Sequence, residues 1–561
     1  MKDMKRWTPW AWRTPSLAVV LIGAAWTVGV VRGQPATPLA LDEIRPERIA
    51  AHLRFLADDL LEGRAPATPG GDLAARYVAA QFEALGLRPG GEDRYFQPVP
   101  IVESTVDPAM TLEARPATGS GDPHTFGYST EMVAVSDSVE PEVQFEGQVV
   151  FVGYGIVAPE YRWDDYAGVD VTGKIALVMV NDPAAPPDDP ELFQGRALTY
   201  YGRWTYKYEE AARQGAAGAI LIHTTESATY PWQVVQSSWG GTQYALPPEP
   251  GRPSLDLKAW MTDAAARTLV RLGGRDLDRL RADASAQPFT PVALDAIVSG
   301  RLTQRVQRRT SPNVIGFVRG TNPGQAVIYT AHYDHLGIHP GQPDEDRIYN
   351  GALDNASGVA GMLAMAEAYA RAAQPPGRSI YFVATTAEEA GLLGSEYLAA
   401  HPPLAIDQVA ANINVDGLNV WGRSNDIVLL GAERSSLGTM ADRLAAERGR
   451  RVGQDPEPER GYFFRSDHFP LAKAGVPAVS ISDATDYPDQ APGFAERVHT
   501  RYVEQDYHQP SDEYDEAWRY DGAVADLAFL AELGWRVAAA AELPAYRDGD
   551  QFRRPRDGAT P

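Results

Sequence analysis

The chain has 561 residues, too long for one ordinary domain and sized for roughly two to four at about 150 residues each. Hydrophobic residues at 44% and charged residues at 22% exclude wholesale disorder, and 51 Lys and Arg against 74 Asp and Glu argue against a nucleic-acid binder, which needs a basic face. Cysteine is absent, which excludes disulfides, thiol nucleophiles and thiolate metal sites, so any metal must be held by Asp, Glu and the 10 His.

Lys2, Lys5, Arg6 and Arg13 precede an uncharged run from Thr14 to Val31, most apolar from Leu17 to Ile22, with a small residue at Gly33. A basic start, a short apolar stretch and a small-residue exit predict a secretory signal over residues 1–33, with an uncleaved anchor as the alternative. The protein is therefore expected to be exported, periplasmic or extracellular, and held at a membrane only if residues 14–31 stay attached. No later segment is apolar enough to span a bilayer.

Residues 34–145 open with two predicted helices between 42 and 90. Ile49, Leu53, Phe55, Leu56 and Leu60 form the apolar face of the first, and Leu73, Tyr77, Val78, Phe82 and Leu85 that of the second. Residues 146–285 have a different texture. Apolar strands at Val149–Val152, Lys174–Val180 and Ala219–His223, with a helix over Tyr208 to Gln214 and Gly at the joints, predict a small α/β or β-barrel unit. From 286 to 546 apolar strands at Val314–Val318, Val327–Thr330, Ile380–Thr385, Val409–Val415 and Ala478–Ile481 alternate with helices such as Ser357–Ala372. That alternation predicts an α/β fold, a mostly parallel mixed sheet with helices on both faces. Residues 547–561 are charged and rich in Pro and Gly, and predict a flexible tail.

The chemistry-bearing residues gather between 332 and 508. They are His332-Tyr333-Asp334-His335, Asp354-Asn355 ahead of a helix, Glu388-Glu389, Asp416-Gly417, and Tyr507-His508 continuing to Asp512. Three of these groups directly follow a predicted strand, and ligands of open α/β sheets gather at the carboxyl ends of the strands. Two His and four carboxylates converging without a basic partner repel unless cations neutralise them. Zn²⁺ is the favoured ion where imidazole is present.

The order His-x-Asp, Asp-Asn-x-x-Gly, Glu-Glu, Asp-Gly and a late His resembles the cocatalytic-zinc aminopeptidase family, which contains aminopeptidase S, aminopeptidase Y and glutamate carboxypeptidase. Leu60-Leu61-Glu62-Gly63-Arg64 with Gly70-Gly71 is similar to that family's N-terminal helix pair, and residues 146–285 resemble its β-rich protease-associated insert. The resemblance implies a zinc exopeptidase fold and two Zn²⁺ per chain. His332 and Asp416 would hold one ion, Glu389 and His508 the other, and Asp354 would bridge them. It further implies a metal-bound hydroxide as nucleophile, Glu388 as general base, Asp334 orienting His332, and Tyr507 stabilising the tetrahedral intermediate. The implied activity is removal of N-terminal residues from peptides. The alternatives are a carboxypeptidase or dipeptidase on the same site, marked by a basic pocket to which Arg465 would contribute, or a non-catalytic receptor-like relative.

Other tempting residues take plainer readings. His335 is expected to be a hydrogen-bonding residue rather than a third ligand. Ser466-Asp467-His468 cannot stack as a relay because three adjacent residues diverge. The aromatic run Tyr200, Tyr201, Trp204, Tyr206, Tyr208 is expected in the core or at an interdomain surface.

Overall fold

The computed structural model describes residues 37–118, 121–228, 230–285, 287–339 and 346–553. The expected signal over residues 1–33 lies outside them.

Four parallel strands form the heart of the larger sheet, in the order Arg378–Thr385, Asn322–His332, Val409–Asn414, Ala478–Ser482. The second half of Val292–Val318 lies antiparallel against Arg378–Thr385 and also carries Phe96–Val106. Asp426–Leu430 closes the other side antiparallel to Ala478–Ser482. Arg378–Thr385 and Val409–Asn414 are buried along their whole length, as strands covered on both faces must be. Alternate residues of Asn322–His332 serve opposite layers. Val327, Tyr329 and Ala331 face the core that includes helices Pro46–Leu56, Pro69–Ala84, Gly358–Ala370 and Tyr520–Ala539. Ala326 and Ile328 face a smaller core that includes Leu398 and Leu471. The mixed sheet with helices on both faces is thus the architecture of the larger lobe.

A second sheet has its own apolar core. Glu142–Phe151, Ile175–Met179, Gly218–His223 and Leu257–Thr262 run parallel in that order, and Met132–Val135 joins antiparallel. The 27-residue strand Val292–Val318 belongs to both sheets, since its first half pairs with Glu142–Phe151 and Thr111–Pro116. This lobe therefore uses residues on both sides of the 146–285 span expected for the insert. Both sheets lie in one unit, Leu39–Pro561. Among the described residues no helix is long and apolar enough to cross a membrane.

Two local expectations change. Leu60 and Leu73 are 80% and 51% exposed, so neither belongs to a buried helix face. Residues Asp59–Arg64 form a separate tight turn with positive φ at Glu62 and Gly63, which rotates Leu60 outward. The flexible tail expected from residue 547 is docked through Arg553. Phe552 is buried among Tyr200, Phe463 and Phe469, and Asp550 pairs with the buried Arg434 at 3.0 Å. The aromatic run is divided between lobes. Tyr200, Tyr201 and Tyr206 share a cluster with Phe463, Phe464 and Phe469 of the larger lobe, whereas Tyr208 packs in the core of the second.

Arg64 is the internal post of the larger lobe. It is 1% exposed, and its guanidinium donates to the carbonyls of Tyr333, Leu56, Asn350 and Gly351 at 2.7, 2.6, 2.5 and 3.0 Å. It ties the first helix to the segments before and after which the candidate site residues stand. Arg64→Met should cost about 3 kcal/mol or more of folding stability, because four buried carbonyls lose their charged donor. Denaturant unfolding measures it, and a change under about 1 kcal/mol contradicts this role.

Candidate metal centre

Each predicted site residue stands where a regular element has just ended. His332 is the last residue of its parallel strand, Glu388 and Glu389 follow Thr385, and Asp416 follows Asn414. Because the strand stops at Thr385, the adjacent glutamates escape the alternation that would send them to opposite faces. Ala387 with φ 54 marks the turn. Asp354 lies in the turn before helix Gly358–Ala370, and His508, with φ 57, follows helix Phe494–Gln505. Gly351 carries a positive φ of 53, and a Cβ there would meet His335 Cγ at 2.5 Å, so only glycine allows that approach.

These turns converge. His332 Nε2 lies 3.2 Å from both Asp354 Oδ1 and Asp416 Oδ1. His508 Nε2 lies 3.2 Å from both Asp354 Oδ2 and Glu389 Oε2, with no aligned hydrogen bond. Asp354 thus presents one oxygen to each imidazole. Ligand atoms of His332, Asp354 and Asp416 lie within 4.8 Å of one another, as do those of His332, Glu388 and Glu389, and of His335, Asp354 and Glu389. Imidazole nitrogens and carboxylate oxygens aimed at shared points form a donor set that fits zinc.

The electrostatics match the crowding. Burial works to raise Asp354, but the imidazoles of His332 and His508 hold it well below the usual carboxylate range. Burial and the neighbouring carboxylates of Glu389 and Asp416 push Glu388 well above its ordinary value, against the pull of His332. Glu389 is held at about 2 by His335 and His508, against burial and the Asp354 charge. His508 is raised to about 10 by Asp354 and Glu389 although burial opposes it.

The surrounding hydrogen bonds revise one assignment and add others. Asp334 was expected to orient His332 through its carboxylate. Instead, His332 Nδ1 meets the Asp334 backbone carbonyl at 3.1 Å, with the carboxylate 3.9 Å away. The Asp334 oxygens accept the backbone N–H groups of Glu388 and Glu389 at 3.1 and 3.4 Å, so this carboxylate positions the glutamate pair. Asp512 accepts the N–H groups of Leu353 and Asp354 at 2.9 and 3.1 Å and so holds the turn that presents Asp354. Asn355 Oδ1 accepts from Gly358 and Gly417, both at 2.9 Å, joining the Asp354 and Asp416 turns. Ser466 donates to Asp416 at 2.6 Å. His335, 1% exposed, lies with Nδ1 2.6 Å from Glu389 Oε1. Tyr507 stacks on His508 with ring centroids 3.9 Å apart. Although Tyr507 is 44% exposed, partial desolvation and the charges of Asp354, Glu389, Glu388 and Asp416 raise its phenol well above the ordinary value and keep it protonated, a donor.

The acidic cluster does have a basic neighbour, contrary to the expectation of none. Arg64 lies within Coulombic reach of Asp334, Asp512, Asp354 and Glu389. Its residue type was visible in Glu62-Gly63-Arg64, and Asp512 ended the Tyr507–Asp512 segment. Neither contact could be read from sequence positions 158 to 448 residues away.

Ser466, Asp467 and His468 turn to three different partners, Asp416, Thr385 and the Phe463 ring. Burial lowers His468 from 6.5 to about 3. Its folded pKa is depressed, so its contribution to stability is complete above about 6.5 and is lost as pH falls toward 3. At pH 4.5 this loss is roughly 2–3 kcal/mol. Melting temperatures at pH 7.5 and 4.5 should therefore differ less in His468→Leu than in the unsubstituted protein. An equal acid-side drop in both would remove His468 as its source.

Residues 313–531, which contain every candidate ligand, match the sequence profile described as Peptidase family M28. Aminopeptidase YwaD of Bacillus subtilis (strain 168) is 31% identical over 180 residues, 31% of this chain and 36% of the relative. Leupeptin-inactivating enzyme 1 of Streptomyces exfoliatus is 26% identical over 249 residues, 43% of this chain and 52% of the relative. The chain matches about a third to a half of the length of these two curated relatives. Among solved structures, an aminopeptidase from Aneurinibacillus sp. strain AM-1 aligns over 92% of this chain and 97% of its own, at 19% identity and a TM-score of 0.45.

Proposed function

We propose that this chain, whose residues 313–531 match the profile described as Peptidase family M28, is an exported two-zinc aminopeptidase. One observation carries the reading. Asp354 offers its two carboxylate oxygens to two imidazoles at 3.2 Å, and each imidazole meets a second carboxylate at 3.2 Å. Two donor sets sharing one carboxylate suit a pair of ions. His332, Asp354 and Asp416 would hold one, and Asp354, Glu389 and His508 the other. Zinc bound there would polarise the scissile carbonyl and acidify water.

The chain's own groups do the rest. Glu388 takes a proton from the attacking water and passes it to the leaving amine. Asp334 fixes Glu388 and Glu389 through their amides. Tyr507, kept protonated, donates a hydrogen bond to the oxygen on which negative charge develops. Export is supported by the basic and apolar order of residues 1–33, and the sheet of the second lobe supports a protease-associated domain.

The test is metal analysis joined to hydrolysis. The purified protein should carry about two zinc per chain and release the anilide from leucyl-p-nitroanilide, but not from its N-acetyl form. Chelation should abolish the activity and zinc restore it. Folded protein that binds no zinc, or that cleaves only the blocked substrate, overturns the reading.

A further inference from the structure

Four of the candidate ligands, His332, Asp354, Glu389 and Asp416, line a cleft of about 2300 Å³ to which both lobes contribute. Among the described residues, six Lys and Arg side chains line it, and four of them are neutralised within the protein. Arg252 pairs with Glu396 at 2.8 Å, Lys258 with Asp137 at 2.5 Å, Arg460 with Glu457 at 2.7 Å and Lys473 with Glu209 at 2.7 Å. Arg203 and Arg465 make no ion pair with any described residue.

These two line the same cleft from different lobes. Arg203 caps helix Trp204–Arg213 of the second lobe, and its Nε is closed off from solvent with no hydrogen-bond partner. Arg465 belongs to the larger lobe, and its guanidinium lies over the Tyr462 ring at 5.3 Å. Burial, then the like charge of Arg465, draw Arg203 down to about 10, against Tyr230 and Tyr200. Two guanidinium groups that line one cleft without an ion-pair partner, one of them with a buried, unpartnered Nε, suit a ligand that supplies the missing charge. The pair also stands next to the chemistry, since Ser466, the residue after Arg465, donates to Asp416 at 2.6 Å.

We propose that Arg203 and Arg465 form a carboxylate-binding subsite, one arginine from each lobe, that receives a carboxylate of the peptide substrate. Guanidinium groups bind carboxylates through paired N–H donors, which suits either the free C-terminus of a short peptide or an acidic side chain. The inference rests on the peptidase reading of the adjacent site and gives it a substrate class: short or acidic peptides rather than long neutral chains. The lobe that contributes Arg203 then has a direct part in substrate choice.

Binding of uncleavable ligands to the zinc-loaded protein tests this without turnover. Leucyl-glycine with its peptide carbonyl reduced to methylene is compared with its carboxamide, and the corresponding leucyl-glutamyl amide with the leucyl-glutaminyl amide, by titration calorimetry. In at least one pair the carboxylate ligand should bind about tenfold or more tightly, and the pair that responds identifies the source of the carboxylate. Arg203→Met with Arg465→Met should bring that ratio close to one. Arg465→Glu, a change at an exposed position, should invert it and serves if the Arg203 variant does not fold. Equal affinities in both pairs, or a ratio that survives in the variants, overturns the subsite. Loss of the peptidase reading is seen separately, as absent leucyl-p-nitroanilide hydrolysis with the affinity ratio intact.

Discussion

Replacing Glu388 by glutamine should lower turnover of leucyl-p-nitroanilide by about 10³-fold while zinc content stays at that of the unsubstituted protein. Glutamine keeps the size and hydrogen-bonding edge of the side chain but cannot take a proton. The metal count matters because Glu388 has ligand atoms within the same 4.8 Å group as His332 and Glu389. A base leaves both ions in place when substituted, whereas a ligand takes one with it. The backbone amide of Glu388 is held by Asp334 at 3.1 Å, so the substitution leaves the turn anchored. Near-normal turnover would remove Glu388 from the proton transfer. Loss of one zinc would make it a ligand instead.

Asp354→Ala should have the widest effect of any single change, reducing bound zinc below two per chain and lowering activity by about 10³-fold or more. Asp354 is the sole carboxylate in contact with both His332 and His508 among the described residues, at 3.2 Å on each side. Removing it leaves His332 with Asp416 and His508 with Glu389, and no carboxylate shared between the two halves. Metal analysis after dialysis, alongside the activity assay, reads the result. Asp512→Asn is the milder companion. It weakens the hold on the Leu353 and Asp354 amides without removing a donor, so about a 10- to 100-fold loss is expected with metal partly retained. If Asp354→Ala kept two tightly bound zinc ions, the shared-carboxylate arrangement would be wrong.

The parallel centre of the sheet was legible because buried strands read as unbroken apolar runs. Val327–Thr330, Ile380–Thr385, Val409–Val415 and Ala478–Ile481 each stand on a strand of that centre. The site was legible for a related reason. Strands of one parallel sheet end on the same side, so residues just beyond three strand ends must approach one another. Local patterning gave no warning where long-range packing ruled. Leu60 has the right spacing for a buried face yet is 80% exposed, because the chain breaks into a tight turn at Asp59. Phe552 sits in a charged, Pro-rich terminus yet is buried against aromatics from distant positions.

A chain without cysteine allows only oxygen and imidazole ligands, and the residue types, their order and the strands that carry them follow from the linear chain. Orientation did not. That Asp334 holds the amides of Glu388 and Glu389 rather than the ring of His332 depends on backbone turns from separate strands meeting at one carboxylate. The charge of Arg64 beneath the cluster depends on a helix folding back beneath a strand end. Arg203 and Arg465 line one cleft because residues of both lobes meet there. Periodicity encodes which face of an element is apolar. Hydrogen bonds and charge pairs between elements are selected only when three-dimensional packing brings their atoms within a few ångströms.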